Sequence, residues 1–173
     1  MKSPVAGKAG SIRLMHLTPS LLVLAEKHGK RLDERSQLRR INDQPPLTTT
    51  GLDLVELFEE HIKGAMLHGG KKRATHINLQ FPKDLVDGED PEYMLGHARG
   101  FIEAVFGHEA IFADRVDRDE RGRHNVDVFV APKYIKQNKS GPKVAISTSR
   151  DLKELARAYY PTLFEDEKDE KKK

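Results

Sequence analysis

The chain of 173 residues contains no cysteine. This absence excludes a disulfide framework and every thiolate metal site, zinc fingers included. A metal ion bound to this chain must therefore be held by histidine, by carboxylates, or by amide and carbonyl oxygens.

Long apolar runs are lacking as well. No stretch approaches the ~20 residues that a membrane helix needs, and residues 1–10 lack the apolar core of a signal peptide. We therefore expect a cytoplasmic protein that has no membrane partner.

The chain nevertheless has enough apolar residues for one core. Hydrophobic residues make up 37% and charged residues 33% of it, a balance that allows a sheet to be buried against helices. At this length we expect a single domain over residues 1–164. Residues 165–173 contain only Asp, Glu and Lys, which predicts a disordered charged tail.

A large excess of charge of one sign is also lacking, since 30 Lys and Arg against 27 Asp and Glu leave a net charge of +3. The basic residues are concentrated in the segments 27–40, 71–73 and 133–143. Such segments favour a positive face that follows a phosphate backbone, with solvated surface as the simpler alternative. The residues that we predict to contact DNA are Lys27, Lys30, Arg35, His76, Lys133, Lys136 and Lys139.

The spacing of the apolar residues alternates between helical and strand-like periods. Helices are predicted at residues 21–40, 52–66, 91–106 and 150–160, and strands at 11–17, 74–81, 110–117, 125–131 and 144–147. Residues 133–143 are polar and are predicted as a loop. Because the strands are mostly amphipathic, we predict an α+β fold with a mainly antiparallel sheet and helices packed on one face.

The most informative stretch is a predicted hairpin over residues 111–132. If the three valines of segment 126–130 point into the core, Asn125 and Asp127 must lie on the opposite face of the strand. Asp117, at the end of the neighbouring strand, then supplies a third oxygen ligand. Such a set suits Mn²⁺ or Mg²⁺ better than Zn²⁺ or Cu²⁺. The alternative is that these side chains form the polar face of a solvated sheet.

The same stretch resembles a motif of the Mob/Pre plasmid mobilisation relaxases, in the His-hydrophobe-His superfamily of DNA-nicking enzymes. That motif runs His-x-Asp-Glu, a short gap, then His-x-His and an apolar strand ending in Pro. Here Asp117-Arg118-Asp119-Glu120 precedes Asn125-Val126-Asp127 and a strand that ends at Pro132. The three metal-binding histidines are thus replaced by oxygen ligands, and the gap is one residue longer. A shifted alignment would use His124 and Val126, but Val126 cannot bind a metal.

A second resemblance concerns the nucleophile. The histidine-using branch of the family carries His-x-x-Arg on its first helix, and this chain has His28-Gly29-Lys30-Arg31. No tyrosine precedes Tyr93, so we predict His28 as the nucleophile, with Tyr159 and Tyr160 as the alternative.

The resemblance implies a relaxase-like fold and metal-assisted nicking of single-stranded DNA at a plasmid transfer origin, through a covalent protein-DNA intermediate. It implies Mn²⁺ or Mg²⁺ as cofactor and other transfer proteins as further partners. Glu120 would orient a ligand or accept a proton, and Arg31 would hold a phosphate. The alternative is a catalytically inactive accessory protein of plasmid transfer or replication that binds single-stranded DNA. A domain that binds no nucleic acid leaves the basic segments unexplained.

Overall fold

The computed structural model describes residues 10–67, 70–82, 90–120 and 124–147, together with Arg150 and Glu154. The predicted helix at 150–160, with Tyr159 and Tyr160, and the predicted tail at 165–173 therefore lie outside the described residues, apart from Arg150 and Glu154. In chain order the elements are β1 (Ser11–Leu17), α1 (Pro19–Gly29), α2 (Glu34–Arg39), α3 (Leu54–His61), β2 (Ala74–Gln80), α4 (Pro91–Phe106), a 3-10 turn (His108–Ala110), β3 (Ile111–Arg115), β4 (Asn125–Val130), β5 (Lys133–Asn138) and β6 (Gly141–Ile146).

Four strands form the main sheet in the order β1-β2-β4-β3, and every neighbouring pair is antiparallel. In this register Asp127 of β4 lies opposite Asn78 of β2 on one side and Arg115 of β3 on the other. The predicted α+β class and antiparallel sheet are confirmed.

Helices cover both faces of the sheet, whereas we expected them on one. On the first face, the valines of segment 126–130 are fully buried and pack with Met94, Ala98 and Ile102 of α4. On the second face, Phe129 belongs to a core that includes residues of α1 and α3. Apolar residues of α1 and α3 therefore cover part of the face that also carries Asn125 and Asp127.

The helix predicted at 21–40 is interrupted. Helix α1 ends at Gly29, and Arg31 adopts a φ of 56°, the left-handed conformation that follows many helix ends. Asp33 then caps α2 by accepting a hydrogen bond from the backbone N–H of Ser36. The two helices therefore meet at a corner that carries His28 on one side and Asp33 on the other.

Residues 133–143, predicted as a loop, are part of a β-hairpin. Strands β5 and β6 pair over six residues each, from Lys133 opposite Ile146 to Asn138 opposite Gly141. Gly141 has a φ of 100° at the turn, a conformation that glycine adopts without strain. The stretch is polar yet extended because the backbone pairing of the two strands needs few apolar side chains. No helix of the described part of the chain is long and apolar enough to cross a membrane.

Candidate functional site

A pocket of about 430 Å³ lies on the second face of the sheet, at the start of β4. It brings together residues that are far apart in the sequence. Among the predicted functional residues, those that line it are His28, Arg35, His76, Asp117, Glu120, Asn125 and Asp127. The predicted nucleophile, the predicted metal ligands and two predicted DNA contacts therefore share one cavity.

His28 lies between two carboxylates at the wall of this pocket. Its Nε2 is 3.3 Å from Oε1 of Glu120, and its Nδ1 is 3.6 Å from Oδ2 of Asp33. Burial alone would raise the pKa of Glu120, but the hydrogen bond with His28 and the charge of Arg31 hold that pKa below its usual value. Glu120 therefore stays ionised and holds the imidazole in a defined orientation.

Asp127 uses both carboxylate oxygens for contacts within the protein. Its Oδ1 accepts hydrogen bonds from Nε2 of His76 and Nδ2 of Asn78, each at 2.8 Å, and its Oδ2 accepts one from Nη2 of Arg115 at 2.9 Å. Burial raises the pKa of Asp127, but His76, Arg115 and Asn78 together outweigh that effect and depress the pKa well below its usual value.

Arg115 is the main residue of the site that sequence analysis missed. Its side chain is 6% exposed, and its Nε lies 2.9 Å from Oδ1 of Asp117. Its guanidinium therefore lies between Asp117 and Asp127, two of the three predicted metal ligands. Burial raises the pKa of Asp117, and the positive charge of Arg115 works against that shift. The register of the folded hairpin reveals its role, since Arg115 directly opposes Asp127.

Arg31 lies behind the pocket, not in its lining. Its side chain is 9% exposed and donates two hydrogen bonds to Asp119, one of them at 2.9 Å from Nε to Oδ2. The same guanidinium is 3.3 Å from Asp117 and 3.1 Å from Glu120. We expected Arg31 to hold a phosphate, but three carboxylates of the protein already surround it.

A divalent cation does not fit the predicted ligands as they are placed. Both oxygens of Asp127 accept hydrogen bonds, and the Arg115 guanidinium lies between Asp127 and Asp117. Among the described residues, one other group brings its possible ligand atoms within 4.8 Å of one another, namely His28, Asp117 and Glu120. Two oxygens of this group, Asp117 Oδ1 and Glu120 Oε1, are buried. They already lie 2.9 Å from Arg115 and 3.1 Å from Arg31.

The predicted lysines lie outside this pocket. Lys27 is exposed on α1, and Lys30 pairs with Glu26 at 2.8 Å and Asp53 at 2.6 Å. The other three, Lys133, Lys136 and Lys139, belong to the β5–β6 hairpin and its turn. Because β4 starts in the pocket and leads away from it at about 3.3 Å per residue, the hairpin begins at the opposite end of the sheet.

Comparisons with known proteins agree with this architecture at the level of solved structures. No protein-family model matches the chain, and no curated protein matches it. The MobM relaxase domain (MOBV; Mob_Pre) bound to plasmid pMV158 oriT DNA, in a Mn-bound crystal structure at pH 5.5, matches with a TM-score of 0.57 and 16% identity, over 91% of this chain and 86% of that one. The chain has the relaxase fold.

Two further crystal structures of the same domain support the relaxase fold. One, at pH 4.6, gives a TM-score of 0.56 and 15% identity over 91% of this chain and 86% of that one. Another, whose DNA carries a 3′-thiophosphate, gives a TM-score of 0.52 and 17% identity over 72% of this chain and 71% of that one. At such identities the likeness establishes the relaxase fold and assigns no role to any residue. It agrees with the fold that the motif over residues 117–132 implied.

Proposed function

We propose that this chain binds single-stranded DNA in the pocket and nicks it at a plasmid transfer origin, with His28 as the nucleophile. The observation that carries the proposal is the placement of His28 against Glu120, in a cavity that three arginines also line. The MobM domains of the same fold are bound to oriT DNA in their crystals.

The pocket suits a phosphodiester. Arg35 and Arg39 line it and are exposed, so their guanidinium groups can donate hydrogen bonds to phosphate oxygens. Arg115 adds a fixed positive charge at the base of the same cavity. Positive groups that are already in place before the reaction stabilise the charge that develops on the phosphate in the transition state.

The reaction that we propose is a transesterification. One ring nitrogen of His28 attacks phosphorus, and the bond between phosphorus and the 3′ oxygen breaks. The other ring nitrogen faces a carboxylate, Glu120 or Asp33, which stabilises the positive imidazole ring. The ring proton is then lost to solvent, and the 3′ oxygen takes up a proton. The products are a 5′-phosphate bonded to the protein and a free 3′-OH.

The sequence predicted a divalent metal as cofactor, and the MobM crystals of the same fold are Mn-bound. A bound ion would add charge stabilisation at the phosphate. The steps proposed above use only the side chains of this chain, because Arg115 lies between two of the predicted ligands.

The second candidate is a catalytically inactive accessory protein that binds single-stranded DNA. One observation favours it, namely that Asp127, at a position where the family motif has a metal-binding histidine, is engaged by three side chains of the protein. Such a protein would keep the arginine-lined pocket and lose the nicking step.

The test is a nicking assay on supercoiled plasmid into which the DNA flanking the chain's own coding sequence has been cloned. We expect open circles and a covalent protein-DNA band with the wild type, and neither with His28→Ala. If the wild type retards single-stranded DNA but leaves the plasmid supercoiled, with and without Mn²⁺, the accessory function replaces the enzymatic one.

A further inference from the structure

We infer that the guanidinium of Arg115 takes the position in which a divalent cation is expected, so that this site acts with a built-in organic cation. Its role in nicking rests on the proposed function, whereas its effect on metal binding does not. The inference concerns two of the three predicted ligands, Asp117 and Asp127, and the arginine that lies between them.

The contacts of Arg115 are those that an ion would make. Its Nε is 2.9 Å from Oδ1 of Asp117, and its Nη2 is 2.9 Å from Oδ2 of Asp127. The guanidinium thus joins a carboxylate that follows β3 to one on β4. A divalent cation held by the same two oxygens would lie within a few ångströms of a full positive charge, which is unfavourable among side chains that are largely buried.

The surrounding protein holds Arg115 in this position. Its guanidinium lies over the ring of Phe129, 5.9 Å from the ring centre, and its Nη1 is 3.4 Å from the carbonyl oxygen of Ala25. A Cβ atom at residue 29 would lie only 2.1 Å from Nη1, so a glycine at this position leaves room for the arginine.

His76 and Asn78 occupy the other oxygen of Asp127, so that Arg115 holds the one oxygen that a metal ion could otherwise reach. His76 and Asn78 both donate to the Oδ1 that faces away from Arg115. In the relaxase motif two histidines of this strand are metal ligands; here a carboxylate stands at the second of these positions and binds an arginine and a histidine. A neutral imidazole suits a metal ion, whereas the carboxylate found here suits a guanidinium, so the two replacements are consistent with each other.

Arg115 also keeps a function towards DNA, because it lines the pocket beside Arg35 and Arg39. Its charge is fixed by protein contacts and does not depend on the supply of an ion. We therefore expect DNA binding, and nicking where it occurs, to be unchanged by a chelator.

Mn²⁺ binding is the direct test. In the wild type, we expect millimolar Mn²⁺ to leave the melting temperature unchanged and the electron paramagnetic resonance signal of free Mn²⁺ undiminished. Arg115→Gln should gain Mn²⁺ binding, seen as loss of that signal and a rise in melting temperature. The gain should disappear in Arg115→Gln with Asp127→Asn. Arg99→Gln is a matched control, because Arg99 pairs with the buried carboxylate of Asp114 on the opposite face of the sheet. This variant should not gain Mn²⁺ binding.

Each outcome decides the inference. Mn²⁺ binding by the wild type overturns it, and loss of that binding in His28→Ala or Glu120→Gln would place the ion at His28, Asp117 and Glu120. Failure of a folded Arg115→Gln to bind Mn²⁺ overturns it too, because something other than Arg115 would then exclude the ion. If Arg115→Gln does not fold, the Mn²⁺ titration of the wild type and the nicking assay with EDTA still test the inference. Nicking that EDTA abolishes would contradict the role of Arg115 as the cation of the site. Absence of nicking in every condition would contradict the proposed function but not the inference about Arg115.

Discussion

Arg31 and Asp119, 88 residues apart in the chain, form an ion pair with two hydrogen bonds in which both side chains are almost fully buried. The pair joins the end of α1 to the segment that follows β3. One residue after Asp119 comes Glu120, and three residues before Arg31 comes His28. The ion pair therefore fixes the distance between His28 and Glu120, and Arg31 acts as a positioning residue.

Replacing Arg31 by methionine should destabilise the fold. Loss of one partner of a buried pair leaves an uncompensated charge, at a cost of about 3–5 kcal/mol. Among the described residues, Arg40, at 3.4 Å, would remain as the cationic partner of Asp119. Urea denaturation measures the change. The matched control is Arg40→Met, because Arg40 also contacts Asp119 but is 37% exposed, and its loss should cost less than about 1 kcal/mol. Equal effects of the two substitutions would contradict a structural role specific to Arg31.

The same pair predicts a loss of stability in acid. The hydrogen bond from Arg31 holds the pKa of Asp119 below its usual value, against the effect of burial. A carboxyl whose folded pKa is depressed stabilises the fold fully above its unfolded pKa of about 3.9, and this contribution is lost as the pH falls through the folded pKa. The free energy of unfolding, measured by urea at several pH values below about 4, should therefore fall more steeply for the wild type than for Asp119→Asn. Parallel curves would show that Asp119 does not titrate as proposed.

Much of the fold could be predicted from the sequence because apolar and polar residues alternate along the strands. The valines of segment 126–130 assign the inner face of β4 without ambiguity, and all three are fully buried. The break after α1 could not be predicted, since the leucine spacing continues past Arg31 and its backbone conformation has no signature in residue type. The β5–β6 hairpin was missed because its polar residues resemble those of a loop.

Several residues that line the pocket were named from the sequence, but their pairing was not. Asp117 and Asp127 were named from the strand pattern of the predicted hairpin and Glu120 from the resemblance to the motif, and the structure places all three around one pocket with His28. Arg115 was overlooked because an arginine on a strand is ordinarily interpreted as solvent-exposed. Only the register of β3 against β4 shows that it opposes Asp127, and register is a property of the folded hairpin.

Glu120→Gln should slow nicking without weakening DNA binding. The amide keeps the shape of the side chain but removes the charge that faces Nε2 of His28 at 3.3 Å, so the imidazole loses both orientation and stabilisation of its positive form. We expect a decrease of about 10²-fold or more, by analogy with other positioned acid-base groups, and a shifted pH profile of the nicking rate. The control is Glu60→Gln on the exposed side of α3, which should change neither quantity.

The covalent adduct distinguishes the two possible nucleophiles. Attack by His28 gives a phosphoramidate, which acid hydrolyses, whereas attack by a tyrosine gives an acid-stable phosphodiester. We expect acid treatment to remove the protein-DNA band of the wild type. We also expect the double variant Tyr159→Phe with Tyr160→Phe to form the same band before acid treatment. An acid-stable band that this double variant lacks would assign the reaction to tyrosine.

The salt dependence of DNA binding identifies which basic residues contact the phosphates. Each phosphate contact to a single strand contributes about 0.7 to the slope of log affinity against log salt concentration. Arg35→Ala and Arg39→Ala, in the pocket, should each lower the slope by about that amount, as measured by fluorescence anisotropy with a labelled oligonucleotide. The lysines of the β5–β6 hairpin lie beyond the far end of β4, whose part from Asp127 to Val130 alone is about 10 Å long. Lys133→Ala and Lys139→Ala should therefore lower the slope only if the bound DNA strand extends past the pocket. Short oligonucleotides that fill the pocket alone should therefore be sensitive to the arginines and insensitive to the lysines. The reverse pattern would place the DNA on the hairpin and remove the pocket from the binding path.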